Sequence, residues 1–204
     1  MNKKYSVIVF DLGNTLIRFD HNIAARKLAN LFYLDSKKIY DLFFDSPITR
    51  AFEKGLMPPR EFHKKATELI GAKLPFKDFT AIWNDIFWED EATCNIARQL
   101  KKTYKLFLLS NVNRLHFEYI RKKFDIINIF DEIILSFMVG AIKPDRLIFE
   151  DMIERAGGDK TKILYIDDRE DLIKEACALG IDSIRFKGAD KLREAMRDKD
   201  IILP

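Results

Sequence analysis

Five apolar runs in the sequence each give way to a short polar segment, and the residue types differ from one segment to the next. Residues 6–10 are followed by Asp11-Leu12-Gly13-Asn14-Thr15, and residues 106–109 by Ser110-Asn111. Some way after residues 132–135 comes Gly140-Ala141-Ile142-Lys143-Pro144-Asp145. Residues 163–166 end in Asp167-Asp168, while residues 183–186 offer only Lys187-Gly188. A carboxylate, a hydroxyl, an ammonium and a pair of acids are together what phosphoryl transfer requires. A carboxylate such as Asp11 can attack phosphorus in line and form an acyl phosphate, dividing one difficult step into two. A lysine and a hydroxyl, here Lys143 and Ser110, can hold the transferring oxygens. A hard cation must offset the charge of the phosphate and of the attacking carboxylate. Magnesium takes carboxylate and water oxygens octahedrally, and Asp11 with one acid of the Asp167-Asp168 pair can supply them.

These groups act together only if the elements that carry them bring them to one place. The five runs are short and dense in β-branched and aliphatic residues, the pattern of strands buried on both faces. Helical patterns separate the last four. One spans residues 114–124. Another spans 146–156, opened by Pro144 and closed by Gly157-Gly158. A third spans 169–179, closed by Gly180, and a final helix is expected over 190–197. Alternating strands and helices predict an α/β fold, a Rossmann-like doubly wound parallel sheet with helices on both faces. In such a sheet ligands bind at the carboxyl ends of the strands, where the polar segments fall. The stretch between the first and second strands shows no strand pattern and reads as helices over 23–32, 36–44 and 60–70, the last preceded by Pro58-Pro59. Phe76, Phe79, Ile82, Trp83, Ile86 and Phe87 form one apolar stripe at spacings of three and four, read as the core of a further helix. Residues 91–100 then lead into the second strand. The expected organisation is a core of residues 1–18 and 90–204, interrupted by a helical insertion over 19–89.

Phe10-Asp11-Leu12-Gly13-Asn14-Thr15, Leu109-Ser110-Asn111, Lys143-Pro144-Asp145 and Ile166-Asp167-Asp168 resemble the four ordered motifs of the haloacid dehalogenase-like hydrolase superfamily. The resemblance is to its phosphatase branch with a helical cap inserted after the first motif, in the Asp-Leu-Gly-Asn variant, and it covers nearly the whole chain. Each motif alone also reads as a turn, a helix cap or an ordinary loop. Four in order, each at a strand end, are specific. The resemblance implies that Asp11 is the nucleophile and a Mg2+ ligand. It implies that the Gly13 carbonyl and Asp168 complete the protein's share of the metal site, with Asp167 supporting from behind. Ser110 and Lys143 would hold the phosphoryl oxygens, Thr15 and Asn111 would orient the site, and the cap would choose the substrate. The implied activity is magnesium-dependent hydrolysis of a small phosphorylated metabolite, such as a sugar phosphate, through an aspartyl-phosphate intermediate.

Two positions depart from the usual pattern. The superfamily's phosphatases usually carry a second aspartate two residues after the nucleophile, which protonates the leaving group and then activates water. Here that residue is Gly13. General acid–base help is worth ~10²–10⁴ in rate. Its loss points to substrates with good leaving groups, to an acid supplied from elsewhere (Asp20, Glu53 or His63), or to a non-catalytic binding or regulatory protein. The Asp-Leu-Gly-Asn branch includes active phosphatases, so hydrolysis is the preferred reading. The second departure is Leu172, where a polar residue often braces the metal site; Asp171 is the expected substitute. Asn113, Arg114 and His116 are candidates for substrate contact, although Asn113 also reads as a helix cap and the other two as a solvated face. Arg18, Arg50 and Glu53 are candidate specificity residues. A metal-independent dehalogenase usually has tyrosine where Gly13 stands, a phosphomutase wants the second aspartate, and a phosphorylation-receiver domain carries its acid pair after the first strand.

Composition narrows the partners. The chain has 204 residues, 48% of them hydrophobic, enough for a sizeable core. Its net charge of +3 and its scattered lysine pairs argue against a nucleic-acid partner. Cys94 and Cys177 have neither disulfide nor metal spacing and are expected to be buried, reduced thiols. No secretory h-region opens the sequence, and no apolar run approaches membrane-spanning length. The expectation is a soluble cytoplasmic protein, monomer or homodimer, whose partner is a small phosphorylated molecule rather than a membrane.

Overall fold

The computed structural model describes residues 4–44, 46–201 and 203. The first strand, β1 (Val7–Phe10), is wholly buried. After it come β2 (Ile17–Phe19), α1 (His21–Phe32), α2 (Ser36–Phe43), α3 (Pro47–Glu53), α4 (Pro59–Leu69), α5 (Phe76–Asn84) and β3 (Phe87–Glu89). The chain continues through α6 (Glu91–Lys101), β4 (Lys105–Ser110), α7 (Arg114–Lys123), β5 (Glu132–Leu135), α8 (Ser136–Val139) and α9 (Arg146–Arg155). It ends with β6 (Ile163–Asp167), α10 (Glu170–Ala178), β7 (Asp182–Arg185) and α11 (Ala189–Arg197).

Strands β5-β4-β1-β6-β7 form one parallel sheet in that order, the expected α/β architecture. The first strand lies in the middle, between β4 and β6, where the strand order reverses and open α/β sheets form their binding crevice. Register sets the heights. Phe10 pairs with both Leu108 and Ile166, so Asp11 and Asp167 leave the sheet at the same level.

Side chains alternate between the two faces of the sheet. Val7, Val9, Leu109, Ile163 and Tyr165 pack with Ile148, Phe149 and Met152 of α9 and Leu172 and Ala176 of α10. Ile8, Phe10, Leu108, Leu164 and Ile166 face α6, α7 and α11. That second apolar body runs on without interruption into Phe43, Phe52, Phe62, Phe79 and Trp83 of the inserted helices. Each such side chain contributes about 1.5–3 kcal/mol on burial, so the inserted helices are seated on the sheet by packing rather than tethered by a linker.

The insertion differs from expectation at both ends. Strands β2 and β3 pair antiparallel, with Ile17 opposite Glu89, Arg18 opposite Trp88 and Phe19 opposite Phe87. The sequence shows no strand here because each partner is three residues long and the pairing joins segments far apart in the chain. The apolar stripe holds for Phe79 and Trp83, both buried, but α5 ends at Asn84 and Phe87 belongs to the ribbon. Helix α3 is also unanticipated; Ser46 caps it by accepting the Thr49 amide, with Pro47 in its first turn. Cys94 is buried as expected, but Cys177 is exposed on the outer side of α10. No described helix is long and apolar enough to cross a membrane.

Candidate active site

Asp11 leaves β1 with its amide donating to the Ile166 carbonyl at 2.9 Å. Lys143 reaches it from the loop between α8 and α9. Its Nζ lies 2.7 Å from Asp11 Oδ1, 2.7 Å from Asp167 Oδ2, 3.0 Å from the Leu109 carbonyl and 3.1 Å from Tyr165 Oη. Only 2% of Lys143 is exposed. Asn111 holds this loop by both ends of its amide: Oδ1 accepts the Lys143 backbone N–H at 2.7 Å, and Nδ2 donates to the Lys143 carbonyl at 2.9 Å. The end of β4 and the lysine loop are thereby fixed to each other.

Both oxygens of Asp167 are engaged. Oδ2 accepts from Lys143 and from the Tyr165 hydroxyl, and Oδ1 accepts the Arg169 amide at 2.9 Å. Asp168 is half-buried beside it. Asp11, Asp167 and Asp168 each place a carboxylate oxygen within 4.8 Å of the others. Three carboxylates against one ammonium leave negative charge in excess. Burial pushes the Asp11 carboxyl up to about 7 against the pull of Lys143, and the neighbouring Asp167 adds to the rise. Asp168 is raised by burial and then by Asp167. For Lys143 burial works against the charge, but the attraction of Asp11, Tyr165 and Asp167 outweighs it and keeps the ammonium protonated. A set of close carboxylate oxygens with surplus negative charge fits a hard divalent cation such as magnesium.

Beside these groups lies a cavity of ≈ 60 Å³, lined by Gly13, Ser110 and Asn111 and also by Phe19, His21 and Glu53. Gly13 has no left-handed φ that would demand glycine, but a Cβ there would lie 2.9 Å from Cε1 of Phe19. The Phe19 ring occupies the space a side chain at position 13 would need.

Residues 5–178 match the family model of haloacid dehalogenase-like hydrolases. The chain belongs to the haloacid dehalogenase-like hydrolase family. Among this hydrolase's relatives is D-ribitol-5-phosphate phosphatase of Bacteroides thetaiotaomicron, 27% identical over 195 residues that cover 92% of this chain and 95% of the relative. A crystal structure of a haloacid dehalogenase family enzyme from Bacteroides thetaiotaomicron in complex with magnesium superposes with a TM-score of 0.85 at 28% identity, covering 96% of this chain and 100% of that one. The wild-type enzyme with magnesium and inorganic phosphate gives 0.82 at 27% identity, covering 92% and 98%. L-2-haloacid dehalogenase of Xanthobacter autotrophicus, at 16% identity and a TM-score of 0.64 over 97% of this chain and 84% of its own, shares the fold.

The structure of the hydrolase brings Asp11, Asp167, Asp168 and Lys143 together, with Ser110, Asn111 and Gly13 at the adjoining cavity. Thr15 is fully buried, and its hydroxyl has no protein partner among the described residues. Three expected positions lie elsewhere. Asn113 is 1% exposed and caps α7; its Oδ1 accepts the His116 amide and its Nδ2 meets His116 Nδ1, both at 3.0 Å, so the amide is spent inside the chain rather than on a substrate. Arg114 is exposed and stacks on the Phe137 ring at 5.4 Å, away from the cavity wall. Asp171 is exposed and pairs with the Arg169 side chain, not with the acids, while Leu172 is buried under the sheet. Arg18 is committed to Asp90 at 2.9 Å, and Arg50 is exposed.

Of the three candidate acids, Asp20 caps α1, and His63 sits 2.7 Å from the Leu74 carbonyl among Phe76 and Phe79. Glu53 alone of the three lines the cavity. The sequence reading missed Tyr165, although its place two residues before Asp167 on a strand puts both on one face of the sheet. It also missed what His116 does. Asn113 Nδ2 must donate to Nδ1, so Nε2 carries the proton and points it at the Trp83 carbonyl, 3.2 Å away. Burial, with His21 nearby, holds the His116 pKa down to about 3, and the neutral ring ties α7 to the end of α5.

Proposed function

We propose that this hydrolase is a magnesium-dependent phosphomonoester hydrolase that acts through an aspartyl phosphate on a small phosphorylated metabolite. The observation that carries the reading is the placement of Lys143 between Asp11 and Asp167 at the carboxyl ends of three neighbouring strands. One oxygen of Asp11 is held by that ammonium, which leaves the other to attack phosphorus. Ser110 and Lys143 hold the phosphoryl oxygens, and Asn111 fixes the lysine loop. Asp11, Asp168 and the Gly13 carbonyl are the residues that would hold Mg2+, and Asp167, with both oxygens already bonded, supports Lys143 from behind. When bound, magnesium offsets the charge of the phosphate and of the attacking carboxylate. Residues 19–89 act as the cap that selects the substrate, and the D-ribitol-5-phosphate phosphatase relative supports a polyol or sugar phosphate as that substrate.

Phosphate release from p-nitrophenyl phosphate, D-ribitol 5-phosphate and a panel of sugar phosphates, with magnesium and with EDTA, tests the proposal. Magnesium-dependent release is expected, and Asp11→Asn should abolish it while the circular dichroism spectrum stays unchanged. Absence of release from every substrate would instead favour a binding protein that has lost turnover at Gly13. Normal activity in Asp11→Asn would remove the nucleophile assignment.

A further inference from the structure

The proposed reaction leaves one proton without a source. The alkoxide that departs from phosphorus needs an acid, and position 13 cannot provide one. We propose that Glu53 of α3 is that acid, and that its carboxylate then accepts the proton of the attacking water. The inference rests on the phosphohydrolase reading above.

Three observations place Glu53 there. Gly13 lacks a side chain, and the space beside it is filled by Phe19, so the acid must come from elsewhere in the cavity lining. That lining carries Glu53, the one carboxylic acid among the described residues that line the cavity. The cavity is only ≈ 60 Å³ and Ser110 lines it too, so Glu53 and Ser110 border one small space. A leaving-group oxygen on a phosphoryl group held at Ser110 is then within reach of Glu53.

The third observation is what holds α3 in position. Gly55, two residues beyond Glu53, has φ +72°, and a Cβ there would lie 2.2 Å from the Phe137 carbonyl oxygen. The turn after α3 thus rests backbone to backbone on α8, next to the lysine loop. On its other side Phe52 stacks on Phe62, with ring centroids 4.3 Å apart at 13°. Glu53 is held between an aromatic core and a close backbone contact, the rigid placement a proton donor requires.

In the first half of the reaction an Asp11 oxygen bonds to phosphorus as the bond from phosphorus to the leaving oxygen breaks. The Glu53 proton passes to that oxygen. The products are the free alcohol, phosphorylated Asp11 and ionised Glu53. In the second half water bonds to phosphorus, the Asp11–phosphorus bond breaks, and the water's proton returns to Glu53. Inorganic phosphate leaves, and both carboxyl groups regain their starting states. The acid reaches the site only while α3 rests on α8, so the seating of the inserted helices and the proton transfer are coupled.

The test compares kcat/KM of wild type, Glu53→Gln and Glu53→Asp on substituted phenyl phosphates of similar shape, from p-nitrophenyl to unsubstituted phenyl, and on D-ribitol 5-phosphate. Folding is checked by circular dichroism and thermal melting. Glu53→Gln should lose ~10²–10⁴ on the poorest leaving groups but less than about tenfold on p-nitrophenyl phosphate, whose phenolate departs unprotonated. Glu53→Asp, which keeps a carboxyl, should retain more activity on poor leaving groups than Glu53→Gln. A uniform loss across the series, no loss at all, or a Gln variant as active as the Asp variant would overturn the assignment. Wild-type protein that releases no phosphate from any substrate would overturn the phosphohydrolase reading itself, which the variants do not test.

Discussion

Replacing Gly13 by alanine isolates the steric meaning of this position. The added Cβ would stand 2.9 Å from Cε1 of Phe19, where carbon atoms in contact prefer about 3.5–4.0 Å. Phe19 cannot swing away freely: its ring packs at 4.8 Å against His21 and at 6.1 Å against Phe87 across the ribbon. Overpacking of this kind costs about 1–3 kcal/mol. Alanine also narrows the unfolded ensemble, which offsets about 0.4–1 kcal/mol because φ at position 13 is not left-handed. The net loss is then about 0–2.6 kcal/mol, a fall in Tm of up to roughly 10 °C for a chain of this size. Thermal melts of Gly13→Ala, Phe19→Ala and the double variant measure it. The double variant should be more stable than the sum of the single changes predicts, by about 1 kcal/mol or more. Additive effects would refute the view that Phe19 excludes a side chain here. The same reasoning means that Gly13→Asp by itself will not restore the usual acid. It needs a smaller residue at position 19.

Two further predictions concern the charges. Lys143→Met leaves Asp11 and Asp167 buried without their cation, and breaking such a pair costs about 3–5 kcal/mol; urea denaturation at pH 8 should show the loss, and wild-type stability in that variant would refute the pairing. The second concerns pH in EDTA. Because the folded protein holds the Asp11 proton up to about 7, above its ordinary value of 3.8, that group's contribution is fully present below about pH 4 and is lost as pH rises through 7. The difference amounts to on the order of 4 kcal/mol. Asp11→Asn should therefore gain stability relative to wild type as pH rises, and added magnesium should raise the wild-type Tm more at pH 8 than at pH 5.5. Equal magnesium shifts at the two pH values would count against a cation held by these carboxylates.

Most of the sheet was legible from neighbours along the chain. Residues 6–10 or 163–166 announce a buried strand because β-branched and aliphatic side chains follow one another without a polar break. Asp11, Ser110, Lys143 and Asp168 were legible because each stands in a short polar segment after, or just beyond, such a run, and parallel strands deliver those segments to one edge. The order of the four motifs added what no single one carries. Helix starts such as Asn113 were visible for the same local reason, and the capping alternative proved to be the role the residue fills.

The fate of individual side chains was another matter. Nothing near Gly13 in the sequence shows that Phe19 fills its empty side, because the ribbon that turns Phe19 inward pairs it with Phe87, far along the chain. Nothing near Glu53 shows that it reaches a cavity walled by Ser110, because Gly55 brings it there by resting on Phe137. Residue type and period are written in adjacent residues and survive in any fold that keeps the strands. Which side chain occupies a given volume, and which carboxylate loses water and keeps its proton, depends on atoms from distant segments meeting at van der Waals distance, and that contact exists only once the chain has packed.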